Sequence, residues 1–292
     1  MIDKSPLVTV ICLCYNHQRF VEEAIQSVLN QTYSNIQLIV MDDASQDKSI
    51  KAIQEAIEGI DNIQFIRNSQ NLGNCSAFNK ALKEAKGEFV IDLAADDLLL
   101  PTRVELGVAA FRNHSDLCGV NFTNAEIINE KGGHVRFHYK EGESVPQGNI
   151  FKILLHKYVI CPPTIMVKKE VYLELSGYDE TLSYEDFDFW IRSSRNWKYC
   201  FTNAVLVKKR QVEKSLGSRQ YVKGSKQMET TFMVCEKAFH LCRNKTEWYA
   251  LQKRLLYETK YAIWFLNVPL VLKYLRLIMK TMHSFFFRRN FK

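Results

Sequence analysis

The sequence predicts an α/β protein with a mostly parallel central sheet flanked by helices, and three observations carry that prediction. Short apolar runs alternate with segments of helical period through the first 93 residues. The runs at Leu7–Leu13, Ile36–Met41 and Phe89–Ile91 are largely apolar, as strands covered on both faces are. Three of them end in polar or acidic residues, Tyr15-Asn16, Asp42-Asp43 and Asp96-Asp97. Right-handed crossovers set such ends on one edge of a parallel sheet, where ligands of open α/β sheets bind.

Taken in order, the strand at Leu7–Leu13 must turn at Cys14-Tyr15-Asn16-His17. Phe20-Val21, Ala24-Ile25 and Val28-Leu29 then recur at helical spacing, giving an amphipathic helix over residues 18–31. The second strand, Ile36–Met41, stops at Asp42-Asp43-Ala44-Ser45; Ile50, Ile53 and Ile57 mark a second helix, and Ile63–Ile66 a third strand. Asn68–Asn74 is a polar loop in which Gly73 can take a positive φ. A helix from Ala77 to Ala85 is expected to close at Gly87 as its C-cap, and the strand at Phe89 follows. Beyond it the pattern is less regular. A strand is predicted at Leu117–Phe122, a turn at Glu126–Gly133 and a mobile polar loop at Tyr139–Gly148. Helices follow at Ile150–Tyr158, Lys169–Leu175 and Tyr184–Arg192, with an extended Cys161–Thr164 segment between the first two.

The stretch Phe89–Pro101, FVIDLAADDLLLP, is chemically the most demanding. Adjacent carboxylates at the end of a buried strand are costly unless a cation meets them. Asp96 and Asp97 therefore suggest a metal-diphosphate site; a solvated Asp-Asp helix start before Pro101 is the other reading. Glu185 and Asp186 stand in the first turn of a predicted helix, where the dipole favours carboxylates whether or not they do chemistry.

A chain of 292 residues accommodates one large α/β domain with an appendage, or two small domains. Its eight cysteines are scattered without a C-x-x-C pair or zinc spacing, and no basic-then-apolar leader precedes Asp3, so a reduced, cytosolic protein is expected. Ten Lys/Arg against two Glu from Lys245 to Lys292 give +8 there; the whole chain carries +7, so the first 244 residues sum to about −1. A near-neutral body with a basic tail points to an anionic surface for the tail and away from a nucleic-acid groove. The longest charge-free run of that tail, Tyr261–Leu272, has twelve residues and contains Pro269, too short for a span of roughly 18–20 residues. Leu272, Leu275, Met279, Met282 and Phe286 share one helical stripe and Lys273, Arg276 and Lys280 another, ahead of Phe285-Phe286-Phe287-Arg288-Arg289. This suits an interfacial helix on the inner face of the cell membrane, or else a terminal helix packed on the body with a basic outer face.

The assembled pieces resemble family 2 glycosyltransferases of the GT-A fold, a Rossmann-like sheet flanked by helices. The resemblance runs through LVTVICLCYNHQRFVEEAIQSVLNQTYSNIQLIVMDDASQD, NLGNCSAFNKALKEAKGEFV, LAADDLLLP and LSGYDETLSYEDFDFWIR, together covering roughly residues 5–215. It implies a catalytic domain over 1–215, with a nucleotide-binding half to about 115 and an acceptor half to 215. Residues 216–292 then form a helical extension. It implies transfer of a sugar from a nucleoside-diphosphate donor of UDP type to a saccharide or lipid-linked acceptor, with inversion, in bacterial surface-polysaccharide assembly. Leu13, Cys14 and Tyr15 correspond to the loop packing on the base, and Asp43 to the acid accepting from the ring. Asp96 corresponds to the Mg²⁺ or Mn²⁺ ligand, Asp97 and Glu185 to supporting substrate-binding residues, and Asp186 to the general base. Two positions depart from the pattern. Ala94 replaces the first acid of the metal element, and Val212 stands where many relatives carry a histidine, leaving Lys209 or Arg210 to face the diphosphate or to form a basic strand edge. These departures motivate a second reading, a non-catalytic sugar-nucleotide-binding protein of the same fold. A nucleotidyltransferase would want a glycine-rich basic loop after the first strand, which Cys14-Tyr15-Asn16-His17 does not provide.

Overall fold

The computed structural model describes residues 5–114, 117–212 and 221–287. The boundary expected at 215/216 and the terminal Arg288 and Arg289 lie outside the described residues. The chain divides into two compact units that interleave in sequence. The first takes residues 1–148, 160–180 and 197–212; the second takes 149–159, 181–196 and 213–292.

The elements begin β1 (Val8–Cys14), α1 (Val21–Leu29), β2 (Ile36–Asp42), α2 (Ser49–Ile57), β3 (Ile63–Arg67), α3 (Asn74–Leu82), β4 (Phe89–Ala94), β5 (Leu98–Leu99) and α4 (Arg103–Asn113). There follow β6 (Cys118–Ile128), β7 (His134–Phe137), α5 (Phe151–Leu154), a 3₁₀ turn at Pro162–Thr164, β8 (Met166–Lys168), α6 (Lys169–Glu174), α7 (Asp186–Ser193) and β9 (Lys198–Arg210). The chain closes with α8 (Lys226–Leu241), α9 (Lys245–Trp264) and α10 (Val268–Phe287).

Among the described residues all nine strands belong to the first unit, in the order β3-β2-β1-β4-β8-β6-β9-β5 with β7 on β6. The half from β3 to β4 is wholly parallel. Beyond it β8 runs antiparallel to both β4 and β6, and β6 again pairs in parallel with β9. Every residue of β1 is buried, which is why its sequence shows no alternation. Helix α1 buries Val21, Ala24, Ile25 and Val28, the i, i+3, i+4, i+7 face the spacing predicts. It starts three residues later than expected, because the His17 carbonyl accepts from the Phe20 and Val21 amides in a preceding turn. Asp96 and Asp97 occupy a turn between β4 and β5, so the helix-start reading of the pair does not hold.

Gly87 is not a cap, since α3 ends at Leu82. It sits where the chain crosses β1, and a Cβ there would come within 2.5 Å of the Thr9 amide nitrogen and 2.8 Å of the Thr9 hydroxyl, which accepts from the Gly87 amide. The expectation of eight reduced thiols fails at Cys118 and Cys200. Their strands, β6 and β9, lie side by side with Cα atoms 6.2 Å apart, and the sulfurs are joined in a disulfide. A sequence separation of 82 hides that pairing from spacing rules. The Tyr139–Gly148 loop expected to be mobile is anchored by the Asn124 side chain, which donates to the Tyr139 carbonyl and accepts from its amide.

The second unit is helical, and its interior carries charge. Asp188 is buried and held by Arg192 at 2.6 Å and Lys237 at 2.7 Å. Arg254 pairs with Glu258 at 3.1 Å, stacks 4.8 Å from the Phe187 ring, and shares Glu258 with the Tyr221 hydroxyl. Among the described residues no helix is long and apolar enough to cross a membrane.

Gly87→Ala tests the crossing of β1. Two of the contacts, the Thr9 nitrogen and the Phe89 carbonyl oxygen, are backbone atoms that cannot swing aside, so the substitution should cost about 1–3 kcal/mol, read as a lower urea midpoint at unchanged slope.

Candidate active site

The site in the first unit grows from the register of three strands. Leu13 on β1 lies opposite Met41 on β2 and Ala94 on β4, so all three strands end at one level. Leu13 and Cys14 are buried in that end, and Tyr15 is the first residue whose ring leaves the sheet into solvent. Burial pushes the Cys14 thiol up to about 11, so it packs as a thiol and offers no nucleophilic thiolate. The next residue, Asn16, takes a left-handed φ of 59°. Its amide donates to Ser45 Oγ at 2.9 Å and its Oδ1 accepts from the Gln46 amide at 2.7 Å. The His17 amide donates to Ser49 Oγ, and the Gln18 amide to Asp47, so the loops after β1 and β2 are laced together.

At the end of β2 two acids do different work. Asp43 is buried and accepts from Asn68 Nδ2 at 2.7 Å, the Leu72 amide at 2.9 Å and the Gly73 amide at 2.9 Å. It thereby folds the 68–73 loop back over the strand ends, with Gly73 at φ 83° and Lys80 donating to Asn68 Oδ1 at 2.7 Å. Three of about four acceptor positions of this carboxylate are spent, leaving room for one more donor. Asp42, which sequence reasoning passed over, is fully buried. Its Oδ1 accepts from the Ser45 amide, while its Oδ2 has no hydrogen-bond partner among the described residues. A buried acceptor left open is costly unless a ligand supplies the donor.

The third strand end carries the metal candidates. Asp97 is buried, and its Oδ1 accepts from the Arg210 amide at 2.8 Å. Burial first, and the charge of Asp96 second, push its carboxyl well above the usual range, while Lys209 pulls it back. Asp96 is half-exposed, and among the described residues no donor reaches its carboxylate; only its carbonyl is used, by Arg210 Nε at 3.1 Å. Among the described residues no group of three or more His, Cys, Asp or Glu could cage a metal ion. A single open carboxylate fits a cation such as Mg²⁺, which is bound through one or two protein oxygens and completes its shell with substrate phosphate and water.

Arg210 itself is engaged within the protein. Its guanidinium reaches Glu23 at 2.6 Å and the Glu130 carbonyl at 3.1 Å, and lies 4.6 Å over the Phe20 ring. Of the two basic residues expected near a diphosphate, Arg210 is thus a structural clamp. Lys209, half-buried, acts with Arg210 to offset the charge of Asp97, and its contribution is the larger of the two charges. A buried arginine at the end of a strand reads in sequence like any exposed one, and nothing in the pattern marked Glu23 as its partner.

The remaining expected residues belong to the second unit. Glu185 occupies the N-cap position of α7 and Asp186 its first residue, both half-buried. The neighbouring Asp188 is held by two cations and is a structural acid.

Comparison with known proteins bears on the family and the fold. The family model "Glycosyl transferase family 2" matches residues 9–175. An uncharacterised glycosyltransferase of Methanocaldococcus jannaschii is 30% identical over 209 residues, covering 70% of this chain and 71% of the relative. In some relatives from Rickettsia species the match is a smaller part of a longer protein, 34% in R. felis and 30% in R. bellii. Among solved structures, S. aureus TarS 1–349 in complex with UDP-GlcNAc aligns at a TM-score of 0.70 and 17% identity, covering 95% of this chain and 81% of TarS. A mannosyltransferase from Pyrobaculum calidifontis in complex with GDP-Man and Mn²⁺ aligns at a TM-score of 0.61 and 15% identity, covering 99% and 89%.

Asp43→Ala should remove the acceptor for three donors. A stability loss of about 2–3 kcal/mol by chemical denaturation is expected, together with faster hydrogen exchange at the Leu72 and Gly73 amides.

Proposed function

The chain belongs to glycosyltransferase family 2, and from that premise we propose that it moves a sugar from a nucleoside-diphosphate donor of UDP type to a saccharide or lipid-linked acceptor, with inversion. It is a transferase of GT-A fold. The observation that carries the finer reading is the open Asp96 carboxylate at a strand end whose neighbours Asp43 and Asp97 are both engaged by the protein.

In this reading the base of the nucleotide lies on Leu13, Cys14 and Tyr15, and its ring donor goes to the β2 acids. Asp43 retains one acceptor position, and the orphaned Asp42 Oδ2 is a second candidate that the sequence did not single out. Asp96 holds Mg²⁺ or Mn²⁺, with Asp97 keeping the turn in place through the Arg210 amide. Support for a divalent ion comes from the open oxygen ligand and from the Mn²⁺ in the P. calidifontis complex. When bound, the cation offsets negative charge on the departing diphosphate without a proton transfer.

Asp186 is the general base. It takes the proton of the acceptor hydroxyl as that oxygen bonds to C1 of the sugar, while the C1–O bond to the diphosphate breaks and its electron pair leaves with the diphosphate. One carboxylate on the acceptor side suffices for a single displacement with inversion. Glu185 supports the acceptor end, and Lys209 supplies positive charge near the leaving group. A catalytic domain over 1–215, an extension over 216–292, peripheral placement on the inner face of the membrane and a role in surface-polysaccharide assembly complete the proposal.

The two acids should separate experimentally. Asp96→Ala is expected to abolish the extra thermal stabilisation that Mn²⁺ gives in the presence of UDP. Binding that ignores the metal in the wild type would refute the ligand role. Asp186→Asn should leave UDP and Mn²⁺ binding intact and lower kcat about 10²–10⁴-fold across a panel of nucleotide sugars; turnover at the wild-type rate would refute the base.

A further inference from the structure

The turn that joins α9 to α10 holds a side chain its backbone disfavours. The Leu266 amide donates to the Ile263 carbonyl and the Asn267 amide to the Ala262 carbonyl, the paired bonds of a Schellman C-cap. The pivotal residue of that motif is left-handed and is usually glycine. Here it is Leu266, at φ 54° and 79% exposed. Beside it Trp264 is 76% exposed and Val268 also stands in solvent, so an indole and two aliphatic side chains project from one tight turn. A turn that needed only to reverse the chain would gain from glycine and would not present tryptophan.

Helix α10 continues the pattern. Leu270, Tyr274, Leu277, Thr281 and Ser284 are buried and recur on one face. With 3.6 residues per turn, Leu272, Leu275, Met279 and Met282 fall on the opposite side, and all four are exposed. Packing therefore does not account for the second apolar stripe. Between the two faces run Lys273, Arg276 and Lys280, of which Lys273 meets Glu229 at 2.9 Å in an exposed pair. On α9, Lys253 and Lys260 are exposed beside Leu256 and Ile263.

We propose that the α9–α10 turn and the outward stripe of α10 form an insertion surface for an anionic lipid bilayer. Trp264 and Leu266 enter the headgroup boundary, the stripe from Leu272 to Met282 lies along it, and the flanking cations face acidic headgroups. Charge complementarity selects this occupant. An apolar ridge bordered by a one-sided basic stripe is the pattern of helices that lie in a membrane interface, and indole rings settle at that depth. The inference deepens the peripheral placement proposed above by naming its surface. It is read from vesicle binding without turnover, so it and the assigned reaction can fail separately.

Flotation of the full chain with vesicles of phosphatidylcholine, alone or with phosphatidylglycerol, tests the proposal. The wild type should float with the mixed vesicles and release as salt is raised. Leu266→Gly should raise Tm, since glycine suits the left-handed cap, yet lower vesicle binding; combined with Trp264→Ser the bound fraction should fall at least tenfold. Lys273→Glu with Arg276→Glu and Lys280→Glu should erase the preference for acidic vesicles. A wild type that stays unbound, or a Trp264→Ser/Leu266→Gly variant that binds as before, overturns the proposal. So does a concentration-dependent dimer abolished by Leu272→Ser with Met279→Ser, which would assign the face to a second copy of the chain.

Discussion

The register of β1 between β2 and β4 is the constraint on which the nucleotide side of the molecule depends. Because Leu13 lies level with Met41 and Ala94, the residues that follow them, Tyr15, Asp43 and Asp96, emerge at neighbouring points of one edge. A slip of one residue on any strand would turn its buried side chains toward the opposite face and move its acid out of line. Burial on both faces of β1 makes such a slip costly, so the hydrophobic core sets the position of the chemistry.

Within that edge the acids sort by what satisfies them. Asp43 is spent on a loop and Asp97 on the Arg210 amide. Arg210 is spent in turn on Glu23, on carbonyl oxygens and on the Phe20 ring. Pairing offsets part of the desolvation cost of such buried charge, and removing one partner is costly. The Asp96 carboxylate and Asp42 Oδ2 stand outside the network, one open toward solvent and one buried without a donor among the described residues. Groups left unsatisfied beside such a network are where a ligand gains most from binding, because the network holds them in place and, at Asp42, burial keeps water from serving them.

Much of this was legible in the chain. Largely apolar runs located β1, β2 and β4, and the helical period of Val21, Ala24, Ile25 and Val28 located α1, since both signals arise from burial by immediate neighbours. What failed to show depends on contacts remote in sequence. Gly87 resembles a helix cap until β1 is seen to cross it, and Cys118 and Cys200 look unrelated until β6 and β9 pair. Arg210 reads as a free cation because Glu23 lies 187 residues away. Asp188 looks in sequence like any acid of a helix first turn, yet it meets Lys237 on α8, 49 residues away. Periodicity reports which face is buried, whereas the partner of a charge is set by topology.

The second unit buries ion pairs within its apolar core while large apolar side chains stand outside, and this makes its surface informative. Inside it are the pairs Arg195–Glu247 and Arg254–Glu258 and the Asp188 cluster; outside are Trp264, Leu266, Leu272 and Met279. Interior ion pairs rarely add stability over well-packed apolar groups, but they penalise any helix register that leaves one partner alone. They can therefore fix how α7, α8 and α9 pack without drawing on all the apolar side chains the sequence provides. The apolar residues thus released are not scattered. They follow one stripe of α10 and one strained turn, bordered by cations on one side. In water that arrangement has an unfavourable hydration cost at every exposed side chain. Against a surface that is itself apolar beneath an acidic layer, the same residues are in their most favourable setting.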